Sequence, residues 1–323
     1  MKSEFEFIEK MRRQTNNSNI KVGIGDDCAV ISKDSKTDLV ITADLLIEDI
    51  DFRLDWTIPK YIGHKSLAVS LSDIAAIGAK PTWAMLSVGI PAKIWKTDFV
   101  EKFYEGWFKL AKKFNVALIG GDISKTPDKI VIDSIVAGEV KKDKAVLRST
   151  AKPGDLIFVT GKLGGAAAAL KFLENGERYN NSKSKNLLLR QLKPHPQTEI
   201  GLILGTRNLA TSMIDLSDGL SGDLSHICRA SKVGAKIYAE KIPVEPKISY
   251  LELQNQKLNF ALNGGEDFEL LFTVNPKKKF MIEKCFKKHK ISHIGEITAN
   301  SDIIELVTDT RSKILNPKSF RHF

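Results

Sequence analysis

Apolar residues along this chain follow two rhythms. Short runs rich in Val and Ile, at residues 20–25, 39–43, 83–90, 116–119, 129–138, 156–160, 212–214 and 268–274, predict strands. Between them, residues 63–78 place Ala68, Leu71, Ala75 and Gly78 on one helical face and Ser66, Ser70 and Asp73 on another. Residues 97–114 repeat the helical spacing, with Thr97 positioned as a cap. An alanine-rich run after Gly165 and residues 220–230 predict two more helices, and the polar stretch 174–185 predicts a loop. Strands and helices alternate through both halves, so the expected class is α/β or α+β. Thr150-Ala-Lys-Pro-Gly-Asp155 carries the proline and glycine punctuation of a boundary. The expectation is therefore a first domain over residues 1–150 and a second over 151–323.

Composition narrows the picture. A chain of 323 residues is long for one core, which supports two domains. Its cysteines, Cys28, Cys228 and Cys285, are far apart. That spacing disfavours a disulfide framework or zinc site, and a cytoplasmic location is expected. The chain lacks an apolar run of about 18 residues, so no membrane partner is expected. The net charge of +10 raises the question of nucleic acid. The lysines are scattered, however, and do not alternate with aromatics as base-stacking surfaces require. They read as a solvated surface, with no nucleic-acid partner, whose positive potential favours anionic substrates.

Against this basic background the acids gather into six short boxes, most beside glycine. These are Gly23-Ile24-Gly25-Asp26-Asp27, Thr42-Ala43-Asp44, Ser72-Asp73, Gly120-Gly121-Asp122, Asp215-Leu216-Ser217-Asp218-Gly219 and Gly264-Gly265-Glu266-Asp267. Glycine permits sharp turns and close approach of a ligand. Carboxylates are the hard oxygen ligands that Mg²⁺ takes. One box alone reads as an ordinary turn. Together they suggest a site for metal and phosphate.

The familiar nucleotide motifs do not fit. Gly161-Lys162 is followed by Leu163, where a phosphate loop needs a hydroxyl for Mg²⁺. Gly23-Ile24-Gly25 lacks the third glycine of a dinucleotide fingerprint. Gly164-Gly165 before the alanine helix reads equally as a phosphate-binding N-terminus or as close packing. Arg148 is a candidate phosphate fork. Its six histidines form no pair at metal spacing, and no serine sits in a nucleophile elbow, so covalent catalysis is disfavoured. Two carboxylates about 4 Å apart repel by about 4 kcal/mol at an effective dielectric near 20. Convergence of four or more would demand metal ions or protons between them.

The boxes resemble the thiamine-monophosphate kinase family, of the superfamily that includes aminoimidazole ribonucleotide synthetase and selenophosphate synthetase. The most specific stretches are Gly23-Ile-Gly-Asp-Asp-Cys-Ala29, Lys65 to Ala79, Ile119-Gly-Gly-Asp122, Ile214-Asp-Leu-Ser-Asp-Gly-Leu220 and Gly264-Gly-Glu-Asp-Phe-Glu-Leu270. The resemblance implies an N-terminal mixed-sheet domain that dimerises through its sheet, and a C-terminal α/β domain. ATP as co-substrate and several Mg²⁺ ions would share the cleft. By motif, Asp27, Thr42, Ala43 (through its carbonyl), Asp44, Asp73, Asp122, Asp215 and Asp218 correspond to the metal shell. Tyr104, Gly121, Asp122, Arg148 and Ser217 correspond to ATP contacts. Glu266 and Phe320 correspond to substrate contacts. Asp44, Asp122 and Asp215 would carry catalysis. One departure stands out: Asp51-Phe52 replaces the histidine-phenylalanine pair that the family places seven residues after the second-box aspartate. Asp51 thus occupies a substrate position, where it would repel a phosphate but could pair with the cationic thiazolium.

The expected activity is ATP-dependent phosphorylation of thiamine monophosphate to thiamine diphosphate, by a homodimer. Two alternatives stay open here. One is another synthetase of the superfamily, of which the selenophosphate type would need a reactive cysteine. The other is a non-catalytic nucleotide-binding relative marked by Asp51.

Overall fold

The computed structural model describes residues 4–12, 18–180, 184–250, 256–309 and 311–316. Phe320, expected at the substrate, lies outside the described residues.

Six strands build the first sheet: β1 (Ile20–Val22), β2 (Ala29–Ser32), β3 (Thr37–Ile47), β4 (Lys80–Pro91), β5 (Ala117–Thr126) and β6 (Val131–Lys141). Their order is β1-β2-β3-β6-β4-β5, antiparallel except for the parallel β4–β5 pair. With them go helices α1 (Glu4–Arg12), α2 (Pro59–Ala76), α3 (Ala92–Trp95) and α4 (Phe99–Phe114). Alternation decides the faces. Ala84, Leu86, Val88 and Ile90 of β4 are buried in one core with α2 and α4. The opposite face is open, with Leu45 and Met85 exposed on it. Helices α2 and α4 touch backbone to backbone. A Cβ on Gly63 would lie 1.9 Å from the Phe103 carbonyl, and one on Gly106 would lie 1.9 Å from that of Lys60. Only glycine fits at either position.

Seven strands form the second sheet: β7 (Leu156–Thr160), β8 (Ser212–Asp215), β9 (Gly234–Tyr238), β10 (Leu270–Val274), β11 (Ile291–Thr298), β12 (Ile304–Val307) and β13 (Ser312–Ile314). Their order is β13-β12-β9-β11-β7-β10-β8, with only β9–β12 parallel. The helices here are α5 (Gly165–Glu174), α6 (Lys185–Leu192), α7 (Thr198–Thr206), α8 (Leu220–Ser231), α9 (Lys257–Asn263) and α10 (Lys279–Cys285). This sheet is covered on both faces. Ile157 and Val159 face one core with Leu224 and Ile227 of α8, while Phe158 faces another with Leu204 of α7 and Ile282 of α10.

Helix α2 joins the halves. Ala75 and Ala76 enter the core that α7 shares with Phe158 and Phe272. His64 Nε2 meets the Pro194 carbonyl at 2.7 Å. Being packed on several sides, α2 buries Ser66, Ser70 and Ser72 as well as its apolar face. It begins at Pro59, earlier than the apolar pattern predicts, because proline suits the first helical turn. Two strands outrun their expected ends. The Thr42-Ala43-Asp44 box lies inside β3 and the Gly120-Gly121-Asp122 box inside β5, rather than in turns.

Candidate active site

Three of the acidic boxes meet where α2 crosses between the sheets. Carboxylate oxygens of Asp27, Asp73 and Asp215 all lie within 4.8 Å of one another. Asp27 follows the glycine turn after β1, Asp73 is on α2, and Asp215 ends β8, so the group draws on both halves. Hydroxyls hold these acids. Ser72 Oγ donates to Asp215 at 2.6 Å, Ser70 Oγ donates to Asp44 at 2.6 Å, and Thr42 Oγ1 donates to Asp73. Asp44 stands on the helix-covered face of β3, close enough for its charge to act on Asp73 and Asp215. Ala43 turns its side chain to the open face, so only its backbone serves the site.

One cation faces this group at close range. Arg148 Nη2 and Nε donate to the two oxygens of Asp27 at 2.7 and 3.1 Å, a bidentate fork. Its backbone N–H donates to Asp26 Oδ2 at 3.2 Å. One guanidinium does not neutralise the set. Burial, then the Asp27 charge, pushes the Asp215 carboxyl up to about 8. Burial, with Asp44 and Asp215 next, pushes Asp73 well above its ordinary value. Burial also raises Asp44 to about 6, and burial with Asp27 raises Asp26 to about 7. The hydroxyl of Ser134, opposite Asp44 in the β3–β6 ladder, is buried with no hydrogen-bond partner among the described residues. Crowded carboxylates beside an unmet hydroxyl fit hydrated Mg²⁺, which takes one or two carboxylates and keeps its waters.

Metal binding must therefore expel protons. Mg²⁺ titrated into the protein at about pH 7 is expected to release protons, with a binding enthalpy that depends on the buffer's ionisation enthalpy. A raised carboxyl binds its proton more tightly folded than unfolded. The fold therefore loses stability as pH rises from the ordinary 3.8 through about 8. Melting curves in EDTA are expected to fall across that window, and Mg²⁺ to recover most of the loss.

The remaining expected residues lie around this centre at different distances. Asp218 leaves the Asp215 box and groups instead with Asp223 and His226, ligand atoms again within 4.8 Å. Asp223 Oδ2 accepts the backbone N–H groups of Asp218 and Gly219 at 3.2 and 3.0 Å, so it fixes that turn at the start of α8. The Ser217 carbonyl accepts the Glu266 N–H at 2.8 Å. Asp122 pairs through Ser87 and Asp133 with Leu45, in the row facing the open side of the first sheet, and is exposed there. It is thus on the opposite face from Asp44 within one chain. Gly121 packs its backbone against β4, where a Cβ would lie 1.9 Å from the Leu86 carbonyl. Tyr104 is half-buried on α4, its ring edge-on to Phe103 at 5.4 Å between centroids.

Two positions singled out in the sequence acquire partners in the fold. The helix N-terminus at Gly164-Gly165 is filled by the chain itself, because Asp267 accepts from the Gly164 and Ala166 N–H groups. Close packing, the other reading of these glycines, explains Gly164: its φ is 81°, and a Cβ there would lie 2.7 Å from the Ala261 nitrogen of α9. Asp51 accepts the Ile47 N–H at 2.7 Å, and its own N–H donates to the Ile47 carbonyl at 2.9 Å. The carboxylate closes a turn, and Asp51 lines a cavity together with Phe52, Trp56, Ile62, Lys65, Gln191 and Leu192. Ser134 and Gln191 had no motif to announce them, while Lys65, Ser70 and Ser72 lay within the Lys65 to Ala79 stretch without a role assigned to them. For Ser72 the one available signal was its place beside Asp73.

Models of the AIR synthase related protein N-terminal and C-terminal domains match residues 25–140 and 152–307. Two mixed sheets joined by a carboxylate-rich centre make this a protein of the AIR synthase related class. Thiamine-monophosphate kinase of Bacillus subtilis (strain 168) is 36% identical over 99% of both chains, and that of Buchnera aphidicola subsp. Acyrthosiphon pisum is 40% identical over 99% of both. Among solved structures, AaThiL complexed with AMPPCP and TMP superposes with TM-score 0.86 at 30% identity, covering 99% of this chain and 97% of that one. Thiamine-monophosphate kinase from Stenotrophomonas maltophilia K279a gives 0.77 at 34% identity, covering 95% and 96%. The chain belongs to the thiamine-monophosphate kinase family.

Proposed function

We propose that this protein phosphorylates thiamine monophosphate with ATP to give thiamine diphosphate, by direct in-line transfer. The observation that carries the reading is the convergence of Asp27, Asp73 and Asp215 from both halves, in a chain alike over its full length to thiamine-monophosphate kinases. The acceptor is itself a phosphate with a second pKa near 6. At neutral pH it is mostly a dianion and already nucleophilic, so no general base is required. That fits the group of Asp27, Asp73 and Asp215, which contains no histidine. The protein's task is to align two anions and offset their repulsion. Asp27, Thr42, the Ala43 carbonyl, Asp44, Asp73, Asp215 and Asp218 would hold Mg²⁺, with Asp122 added as described below. Bound Mg²⁺ supplies the positive charge that lets both phosphates enter one site. Arg148 and Ser217 lie beside the carboxylates where ATP would sit, and Asp51, Glu266 and Phe320 are assigned to the acceptor.

In this reading residues 1–150 and 151–323 act as two domains, in a cytoplasmic homodimer. The open face of the first sheet is the surface for the second copy. Leu45 and Met85 are exposed on it, as is Asp122 of the edge strand β5. Asp122 and Gly121 would then act from the interface, and Tyr104 would meet ATP from α4 on the helix-covered side. No helix among the described residues is long and apolar enough to cross a membrane. A synthetase needing a reactive thiol fits poorly, because Cys28 is 2% exposed and burial pushes its thiol well above the ordinary value.

Incubation with Mg²⁺-ATP and thiamine monophosphate, followed by chromatographic separation, is expected to yield thiamine diphosphate and ADP in equal amounts. Nucleotide binding without either product would overturn the kinase reading.

A further inference from the structure

Lys65 is the buried cation for which the proposed chemistry has no use so far. It lies on α2, only 4% exposed, between the two halves. A buried ammonium persists where charge and hydrogen bonds satisfy it. Lys65 Nζ pairs with Glu266 Oε1 at 2.7 Å and donates to the Asp51 carbonyl at 3.1 Å. The other Glu266 oxygen accepts from Gln191 Nε2. Glu266 is thus gripped at both oxygens, once from the first half and once from α6.

The backbone beneath Glu266 explains why that grip matters. Glu266 has φ 64°, a left-handed conformation that non-glycine residues seldom adopt. Its N–H donates to the Ser217 carbonyl, and a Cβ on Gly265 would lie 2.6 Å from that same oxygen. The turn that presents Glu266 is therefore pressed against the Asp215 box. Lys65 also lines the cavity beside Asp51, Phe52 and Trp56.

We propose that Lys65 is the positioning residue of the acceptor pocket. By pairing with Glu266 and the Asp51 carbonyl, it sets Glu266 against the acceptor only when the two halves are docked. The inference rests on the kinase reading and extends it to a residue outside the acidic boxes. Lys65 acts through Glu266 and not on the transferred group, so its loss falls on acceptor binding.

The test compares wild type, Lys65→Met and Lys65→Arg, with KM measured separately for thiamine monophosphate and ATP. Lys65→Met keeps the length of the side chain and removes the charge. It is expected to raise KM for thiamine monophosphate on the order of tenfold, with KM for ATP changed by less than about twofold. Lys65→Arg restores a donor to Glu266 and is expected to recover part of the loss. In a Glu266→Gln background the Lys65→Met substitution should add little, since the two act as a unit. Lys65→Arg carries the same comparison if Lys65→Met does not fold. An unchanged acceptor KM in folded Lys65→Met, or equal rises for both substrates, overturns the assignment. A wild type that forms no thiamine diphosphate overturns the kinase reading instead, so the two failures are distinguishable.

Discussion

Asp215→Asn is expected to lower kcat by roughly a thousandfold, about 4 kcal/mol of transition-state stabilisation, while leaving the metal-free protein as stable as wild type or more so. Both halves of this outcome follow from one geometry. Asp215 ends a buried strand, 2% exposed, and accepts the Ser72 hydroxyl at 2.6 Å across the boundary between the halves. Asparagine keeps the volume, and its carbonyl still accepts that hydrogen bond. What goes is the charge, which the fold holds at a cost, since burial and Asp27 push this carboxyl to about 8. Removing it relieves repulsion in the empty site and removes a ligand from the loaded one. An ordinary packing residue would show the reverse, with lost stability and lost activity in step. The checks are steady-state kinetics at saturating Mg²⁺ and thermal melting in EDTA. Wild-type turnover in Asp215→Asn would remove this residue from the centre.

Arg148→Met is expected to destabilise the metal-free protein by about 3–5 kcal/mol, the usual cost of leaving one partner of a buried pair uncompensated. Asp27 is the partner left behind, its side chain fully enclosed beneath the bidentate fork. Arg148 also sits in the short 3₁₀ turn Arg148–Thr150 that joins the halves, and Ser231 Oγ of α8 donates to its carbonyl at 2.7 Å. The backbone anchor survives the substitution, so the loss reports on the ion pair. Denaturation in urea would measure it. Adding Asp27→Asn should return most of the stability, because the stranded charge is gone. Mg²⁺ should also narrow the gap, by giving Asp27 another positive partner. A double variant no more stable than Arg148→Met would place the defect elsewhere in the linker.

The chemistry was more legible than the topology. Glycine beside acid marks backbone that bends near charge, so Gly25-Asp26-Asp27 and Asp215 to Gly219 stood out and do flank the centre. The same signal misled where acids lie within strands. Asp44 and Asp122 interrupt the apolar alternation and looked like strand ends, yet β3 and β5 continue through them because ladder partners on β6 and β4 fix the backbone. Asp267 shows a different limit. A glycine pair opening a helix has one appearance whether phosphate or a carboxylate 103 residues away fills it. Ser72 and Lys65 gain their roles from partners 143 and 201 positions distant, contacts that exist only after the halves dock. Local spacing carries no trace of them. The apparent departure at Asp51 likewise acquires a local role only in the fold, where it closes a turn on Ile47.

The central claim is a direct transfer between two phosphates in one carboxylate-lined site. A rapid-quench experiment with γ-labelled ATP, Mg²⁺ and thiamine monophosphate, stopped before one turnover is complete, tests it most directly. The account predicts that label passes from ATP to thiamine diphosphate with none on the protein at any time. Labelled protein that forms and decays ahead of product, or label released only as inorganic phosphate, would contradict it.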